Sequence, residues 1–171
     1  MERNLLILGA GGHGQFVAEV AASIGCWKRI AFLDDGQTAD FILGKCSDFP
    51  LFSKDFSDMF PSIGNNQLRY AWIQQLMANG IHIPSLIHPT AYISPSSKLA
   101  PGSVIAPKAI VNTHSVIGAG CIIGLGSIID HDCTIGECCH INSGSIVQAG
   151  CHVPALTRLD SGYVFTKEGI R

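Results

Sequence analysis

No apolar run in this chain is long enough to cross a bilayer. Stretches such as Asn4-Leu5-Leu6-Ile7-Leu8 fall far short of the roughly 20 residues a spanning helix needs. There is no basic tract either. Eleven Lys and Arg stand against 13 Asp and Glu, a net charge of −2, which leaves a nucleic-acid partner without electrostatic support. Charged residues are scarce at 14% while 47% are hydrophobic; such a chain buries a sizeable core and is not disordered. No CxxC pair occurs among the seven cysteines, and Cys138 and Cys139 are adjacent, so a zinc knuckle is not expected. A secretory pattern is missing too, because glycine-rich sequence follows the first apolar segment at once. The expected compartment is cytoplasmic, with no membrane and no nucleic-acid partner. The 171 residues suffice for one medium domain or two small ones.

What is present is a repeat. Every sixth residue from Ile87 to Phe165 is aliphatic or aromatic: Ile87, Ile93, Leu99, Ile105, Val111, Ile117, Ile123, Ile129, Ile135, Ile141, Val147, Val153, Leu159 and Phe165. With apolar residues at about half of all positions, such a run has a chance probability on the order of 10⁻⁴ to 10⁻⁵. A period of six is the mark of a parallel β-helix, in which each hexad supplies one short strand and one corner. Three hexads make one triangular turn, so residues 87 to 153 predict about four coils. Cys121, Cys133, Cys139 and Cys151 each fall two residues before an anchor, a recurring slot for a small buried side chain.

Residues 1–83 have a different texture. Asn4–Leu8 reads as a strand, followed by Gly9-Ala10-Gly11-Gly12-His13-Gly14 and a helical pattern carrying Phe16, Val17, Val20, Ala21 and Ile24 up to Gly25. Arg29–Leu33 reads as a second strand ending at Asp34-Asp35-Gly36, and Phe41–Gly44 as a short one. Ser62–Asn66 suggests a strand end or a tight loop before a helix over 67–79. Strands alternating with helices imply a small parallel sheet. The expected fold is therefore an α/β, Rossmann-like N-terminal subdomain (1–83) followed by a left-handed parallel β-helix of hexapeptide repeats (84–171).

Two places carry candidate chemistry. Gly9, Gly11 and Gly14 satisfy G-x-G-x-x-G between a strand and a helix, and Asp34 follows twenty residues after Gly14. Backbone N–H groups at such a helix start bind phosphate, and an acid at the next strand end suits a ribose or a base. About 83 residues make only half a dinucleotide fold, so a nucleoside diphosphate fits better than a nicotinamide cofactor; a turn needed only for packing is the plain alternative. In the repeats, His131 sits at a corner between Asp130 and Asp132. A carboxylate bonded to one ring nitrogen makes the other a better base, although a solvent-facing corner histidine would look the same. His114 lies seventeen residues earlier, nearly one coil. Together these histidines could contribute to zinc only with a third ligand, and no metal is expected.

The glycine-rich loop, Phe32-Leu33-Asp34-Asp35, Ile63-Gly64-Asn65-Asn66, Ile87-His88-Pro89, the hexads and Asp130-His131-Asp132-Cys133-Thr134-Ile135-Gly136 together resemble the bacterial sugar acetyltransferases. These include sialic acid O-acetyltransferases and the N-acetyltransferases of nucleotide-linked 4-amino-sugars. The resemblance implies a homotrimer using acetyl-CoA as co-substrate, with active sites between neighbouring β-helices. It implies His131 as general base, Asp132 as the acid that orients it, and His140 near the thioester. Ala149, next to Gly150, would offer a backbone N–H to the acetyl carbonyl. Gly11, Gly12, His13, Gly14, Asp34 and Asp35 would hold the nucleotide, with Gly64, Asn65 and Asn66 lining the same cleft. The expected reaction is N-acetylation of a nucleotide-activated amino-sugar without a covalent intermediate. The alternatives are O-acetylation of sialic acid or another sugar, or a catalytically weak nucleotide-binding scaffold. Two positions depart from the family pattern. Gly124 stands where some members have Asn, and Ala149 where Gly is frequent.

Overall fold

The computed structural model describes residues 3–170 and divides into two compact units, Met1–Pro84 and Ser85–Arg171. In the first, β1 (Asn4–Leu8), β2 (Arg29–Leu33) and β3 (Asp58–Pro61) form a parallel sheet in the order β2-β1-β3. Leu5, Leu6, Ile7 and Leu8 are fully buried, as expected of a central parallel strand covered on both faces. The α1 helix (Gly12–Ile24) buries Gly14, Val17, Val20 and Ala21 and stops at Gly25, whose φ of 72° and N–H to the Ala21 carbonyl make a left-handed cap. The α2 helix (Asn66–Ala78) begins at Asn65, whose side chain accepts the Leu68 N–H.

Two features of this unit differ from the sequence expectation. Phe41–Gly44 forms only an isolated bridge between Ile42 and Phe32, and β3 is an additional strand. It begins with Asp and ends with Pro, residue types that strands avoid. Asp58 is tolerated because it is a buried anchor. Its Oδ2 accepts from Arg3 Nε (3.0 Å) and Trp27 Nε1 (2.6 Å), and its Oδ1 meets His82 Nδ1. Burial pushes this carboxyl up, but the hydrogen bonds from Arg3, Trp27 and His82 outweigh it and hold the group below its ordinary value.

The second unit stacks two-residue strands into three parallel sheets. Each residue pairs with the one eighteen positions on: Leu86, Val104, Ile122, His140 and Arg158 on one face, Tyr92, Ile110, Ile128, Ile146 and Val164 on the next, Lys98, Val116, Thr134 and His152 on the third. The second residue of each pair points inward. From Ile105 to Leu159 these anchors are buried in one continuous core. Corners recur every six residues. Residues 102, 108, 114 and so on to 162 all have positive φ; six are Gly, and Lys108, His114, Asp132, Cys138 and Leu156 are not. Near its end the chain leaves the coil path, and Val164–Thr166 pairs antiparallel with Gly169–Ile170.

The cysteine slot is more than a small volume. Ser103, Ser115 and Ser145 Oγ donate to the carbonyls of Gly118, Asp130 and Asp160. Cys121, Cys133 and Cys139 Sγ donate equivalently to Gly136, Gln148 and Pro154. Serine and cysteine are alternative donors in one internal ladder. Coil contact is tight elsewhere: a Cβ on Gly136 would lie 2.4 Å from Ala155 N, and one on Gly124 would lie 2.7 Å from Ser143 N. An Asn at 124 has no room here.

Two outcomes follow. Gly136→Ala should cost about 1–3 kcal/mol through forced coil separation, read as a fall of several degrees in Tm. Asp58→Asn should destabilise the first unit. The depressed Asp58 carboxyl contributes stability above its ordinary value of about 3.8 that is lost as pH falls through its lower folded value. Acid titration of unfolding should therefore be steeper below about pH 4 in the parent chain than in Asp58→Asn.

Candidate active site

Because one coil is eighteen residues, 112–114, 130–132 and 148–150 occupy one corner on three successive turns. At the middle turn His131 Nδ1 lies 2.7 Å from Asp132 Oδ2. With the carboxylate ionised, Nδ1 carries the proton and Nε2 is left as the base. Asp130 fixes the backbone beneath the ring. Its Oδ1 accepts the His131 N–H (2.7 Å) and Asn112 Nδ2 (3.0 Å). The hydrogen bond to Asp132, aided by the charges of Asp132 and Asp130 and opposed by desolvation, raises the His131 pKa. The same bond lowers that of Asp132. His131 and Asp132 are 51% and 58% exposed, so the pair faces outward and is open to a ligand.

The turn above differs in one informative way. The Thr113 N–H is capped by Asn112 Oδ1 and the His131 N–H by Asp130 Oδ1. The residue before Ala149 is Gln148, whose longer side chain makes no equivalent cap among the described bonds. The Gly150 N–H is spent on the His131 carbonyl (2.9 Å), so of the two residues Ala149 is the one placed to offer its amide outward. Beside it lies a cleft of about 450 Å³ lined by Gly150, His152, Phe165, Thr166 and Lys167. A Cβ on Gly150 would come within 3.3 Å of Lys167 Nζ. The repeat pattern gave no hint of Lys167, because the hairpin that carries it breaks the hexad period. His140 is not part of this corner. It stands in a strand on a different face, between Ile122 and Arg158. Among the described residues no group of three or more His, Cys, Asp or Glu is arranged to hold a metal ion.

In the first unit the sheet order reverses direction between β1 and β3, the switch point at which open α/β sheets bind ligands. The loops after these two strands meet there: a Cβ on Gly9 would lie 2.8 Å from Ser62 O. The glycines divide by task. Gly14 is a packing glycine, since a Cβ there would lie 2.0 Å from Gly9 O. Gly12 has open space above it, and a Cβ on Gly11 would meet only Gln37 Nε2, at 3.8 Å. His13 stacks near Phe16, ring centroids 6.0 Å apart.

The aspartates are clamps. Asp34 Oδ2 accepts the Ala10 N–H (2.7 Å), and Oδ1 accepts those of Gly36 and Gln37 (2.8 Å each). Burial raises its pKa, and these three amides bring it below the ordinary value. Asp35 Oδ1 accepts the Cys46 N–H, fixing the 3-10 helix Cys46–Phe52. Together they border a cavity of about 580 Å³ also lined by Gly36, Gln37, Thr38 and Lys45. Asn65 and Asn66 are likewise engaged, Asn65 on Leu68 N–H and Asn66 Oδ1 on Arg69 Nη2. Gly64 is open. Arg69, buried and bonded to the Ile63 carbonyl, holds the loop that carries them and was not singled out by the sequence pattern.

Residues 4–76 match the family model of the PglD N-terminal domain. The whole chain is similar to the acetyltransferase domain of PglB from Neisseria gonorrhoeae FA1090, solved with acetyl coenzyme A: 30% identity, TM-score 0.78, with 100% of this chain and 99% of that one covered. It is also similar to a variant of perosamine N-acetyltransferase from Caulobacter crescentus, solved with CoA and GDP-perosamine: 27% identity, TM-score 0.85, covering 95% and 88%. An α/β unit followed by stacked hexads with an outward His–Asp corner thus defines an acyltransferase of the left-handed β-helix class. The chain belongs to the hexapeptide-repeat sugar acetyltransferases, enzymes that draw on acetyl-CoA. No helix among the described residues is long and apolar enough to cross a membrane.

Asp34→Ala should free three amides at once. Hydrogen exchange at Ala10, Gly36 and Gln37 should accelerate at least tenfold, while amides in the β-helix core keep their protection.

Proposed function

We propose that this enzyme transfers the acetyl group of acetyl-CoA to the amino group of a nucleotide-activated amino-sugar, as a cytoplasmic homotrimer. The observation that carries the chemistry is the His131–Asp132 pair one turn below the outward Ala149 amide. The acceptor nitrogen attacks the thioester carbon while His131 Nε2 takes its proton. The carbonyl oxygen becomes an oxyanion held by the Ala149 N–H, the carbon–sulfur bond then breaks, and the departing CoA thiolate recovers the proton from His131. One such N–H donor is worth about 10²–10³ in rate. No covalent acyl-enzyme is needed.

In the first unit, Gly11, Gly12, His13 and Gly14 at the start of α1 receive the diphosphate. Asp34 and Asp35 shape the cavity for the nucleoside, and Gly64, Asn65 and Asn66 form its other wall. The cleft beside Lys167 takes part of CoA, with Gly150 allowing close approach. His140 lies on another face of the same β-helix, so its role near the thioester belongs with a site completed by a neighbouring copy. The Neisseria and Caulobacter proteins, with acetyl-CoA, CoA or GDP-perosamine named in their complexes, support this choice of substrates.

The reaction is tested by following acetyl-CoA consumption with UDP-, GDP- and dTDP-linked 4-amino-sugars and with sialic acid, and weighing the product. Gain of one acetyl on a nucleotide amino-sugar is the expected result; acetylation of sialic acid alone overturns it. His131→Ala should lose 10²–10⁴-fold in kcat with Tm unchanged. The base works as neutral imidazole, so the rate should fall as pH drops through the raised His131 pKa. Asp132→Asn should move that acid limb to lower pH while reducing the plateau rate.

A further inference from the structure

Asp132 has a second histidine. His114 occupies the same corner one coil earlier, and its Nδ1 lies 3.4 Å from Asp132 Oδ1, the oxygen that His131 does not use. The carboxylate is therefore shared, one oxygen to each ring. The backbone makes this sharing noteworthy. His114 and Asp132 have φ of +58° and +57°, the left-handed region that disfavours side chains bearing a Cβ and that six other corners fill with glycine. In this column the next corner is Gly150, also left-handed. Two stacked residues thus adopt a costly conformation where their side chains meet. The His114 N–H is itself tied to Ser96 Oγ at 3.1 Å, which fixes the base of the ring.

We propose that His114 is a positioning residue that holds Asp132 in line with His131 and restrains the basicity of His131 by competing for the same carboxylate. The proposal rests on His131 acting as the general base. The titratable groups around His131 are Asp130 beside it on the same turn, Asp132 on its Nδ1, and His114 reaching Asp132 from the turn below. Contact with His114 on Oδ1 draws charge density on Asp132 away from the oxygen that faces His131. That lowers the proton affinity of His131. Losing His114 therefore raises the His131 pKa, the opposite of the effect of losing Asp132. For a carboxylate shared in a water-like dielectric the change is about half a pH unit. The chemistry gains because a base must be neutral to accept a proton, and the presence of His114 keeps more of His131 neutral near pH 7.

The test is His114→Gly beside His114→Asn, in the full chain. Glycine is the residue most corners already use, so folding is not at risk, and Tm should hold or rise. Asparagine tolerates the left-handed corner and keeps a side-chain donor. Histidine ring NMR, with the His131 signal assigned by its loss in His131→Ala, should show the His131 pKa rising by about half a unit in His114→Gly and by less in His114→Asn. The acid limb of kcat/KM should shift upward in parallel, and plateau kcat should fall about three- to tenfold in His114→Gly, with partial recovery in His114→Asn. An unchanged His131 pKa in His114→Gly overturns the proposal, whether or not kcat falls, since a lowered rate alone would mark a substrate contact. If His131→Ala itself keeps more than about a tenth of the parental rate, the general-base reading fails first; the NMR titration still reports the charge coupling separately.

Discussion

The constraint on which the β-helix depends is coil registry: each residue lies above the one eighteen positions before it. Strand pairing, interior packing and corner conformation all obey that interval. A β-helix of two-residue strands has no long ladder in any one sheet, so its cohesion comes from repetition. Each inward anchor meets an equivalent anchor above and below, and each small interior donor finds a carbonyl on the next turn. The tight approach at Gly136 and Gly124 shows how little slack is left between turns. A side chain there would have to wedge apart backbones that the sheets on all three faces hold together.

Registry also builds the chemistry. A corner is normally a liability, because its left-handed backbone favours glycine and offers no side chain. At one column this chain places Asp130, His131 and Asp132 on one turn, with Asn112 and His114 below and Ala149 above. Side chains far apart in sequence become neighbours without a loop having to fold over the site. His131 is held at both ends, through its amide on Asp130 and through Nδ1 on Asp132. Its Nε2 is left outward. The α/β unit solves a different problem. Its glycine-rich loop and the loop after β3 are brought together at the switch point of the sheet, and Asp34 ties the first of these to the turn after β2 by three amides. That fixes both loops in place.

How much of this could be seen in the sequence varied with the range of the interactions involved. The hexads were legible because every anchor answers to the same local rule. The His131–Asp132 contact was legible because the two residues are chain neighbours. The α1 helix, with its glycine stop, was legible for the same reason. β3 escaped because Asp58 is paid for by Arg3, Trp27 and His82, partners 24 or more residues away that no window of local propensity contains. Asp34 was expected to bind from its type and spacing, and Asn65 from the family resemblance. The structure shows their polar atoms already engaged with backbone amides, which spacing alone does not reveal. Lys167 and Arg69 lay outside any repeat or motif.

The interior donor ladder has a practical consequence for the thiols. Six of the seven cysteines are buried, and Cys26 alone is exposed. Burial pushes the Cys46 thiol up to about 12 and also raises that of Cys133, while the hydrogen bond with Cys139, reinforced by burial, raises Cys121. Such thiols contain almost no thiolate at neutral pH, and the thiolate is the form that alkylates. Despite its cysteine count, the folded chain therefore carries a single addressable handle for a fluorophore or spin label, on the α/β unit just beyond α1, with no cysteine needing to be removed first.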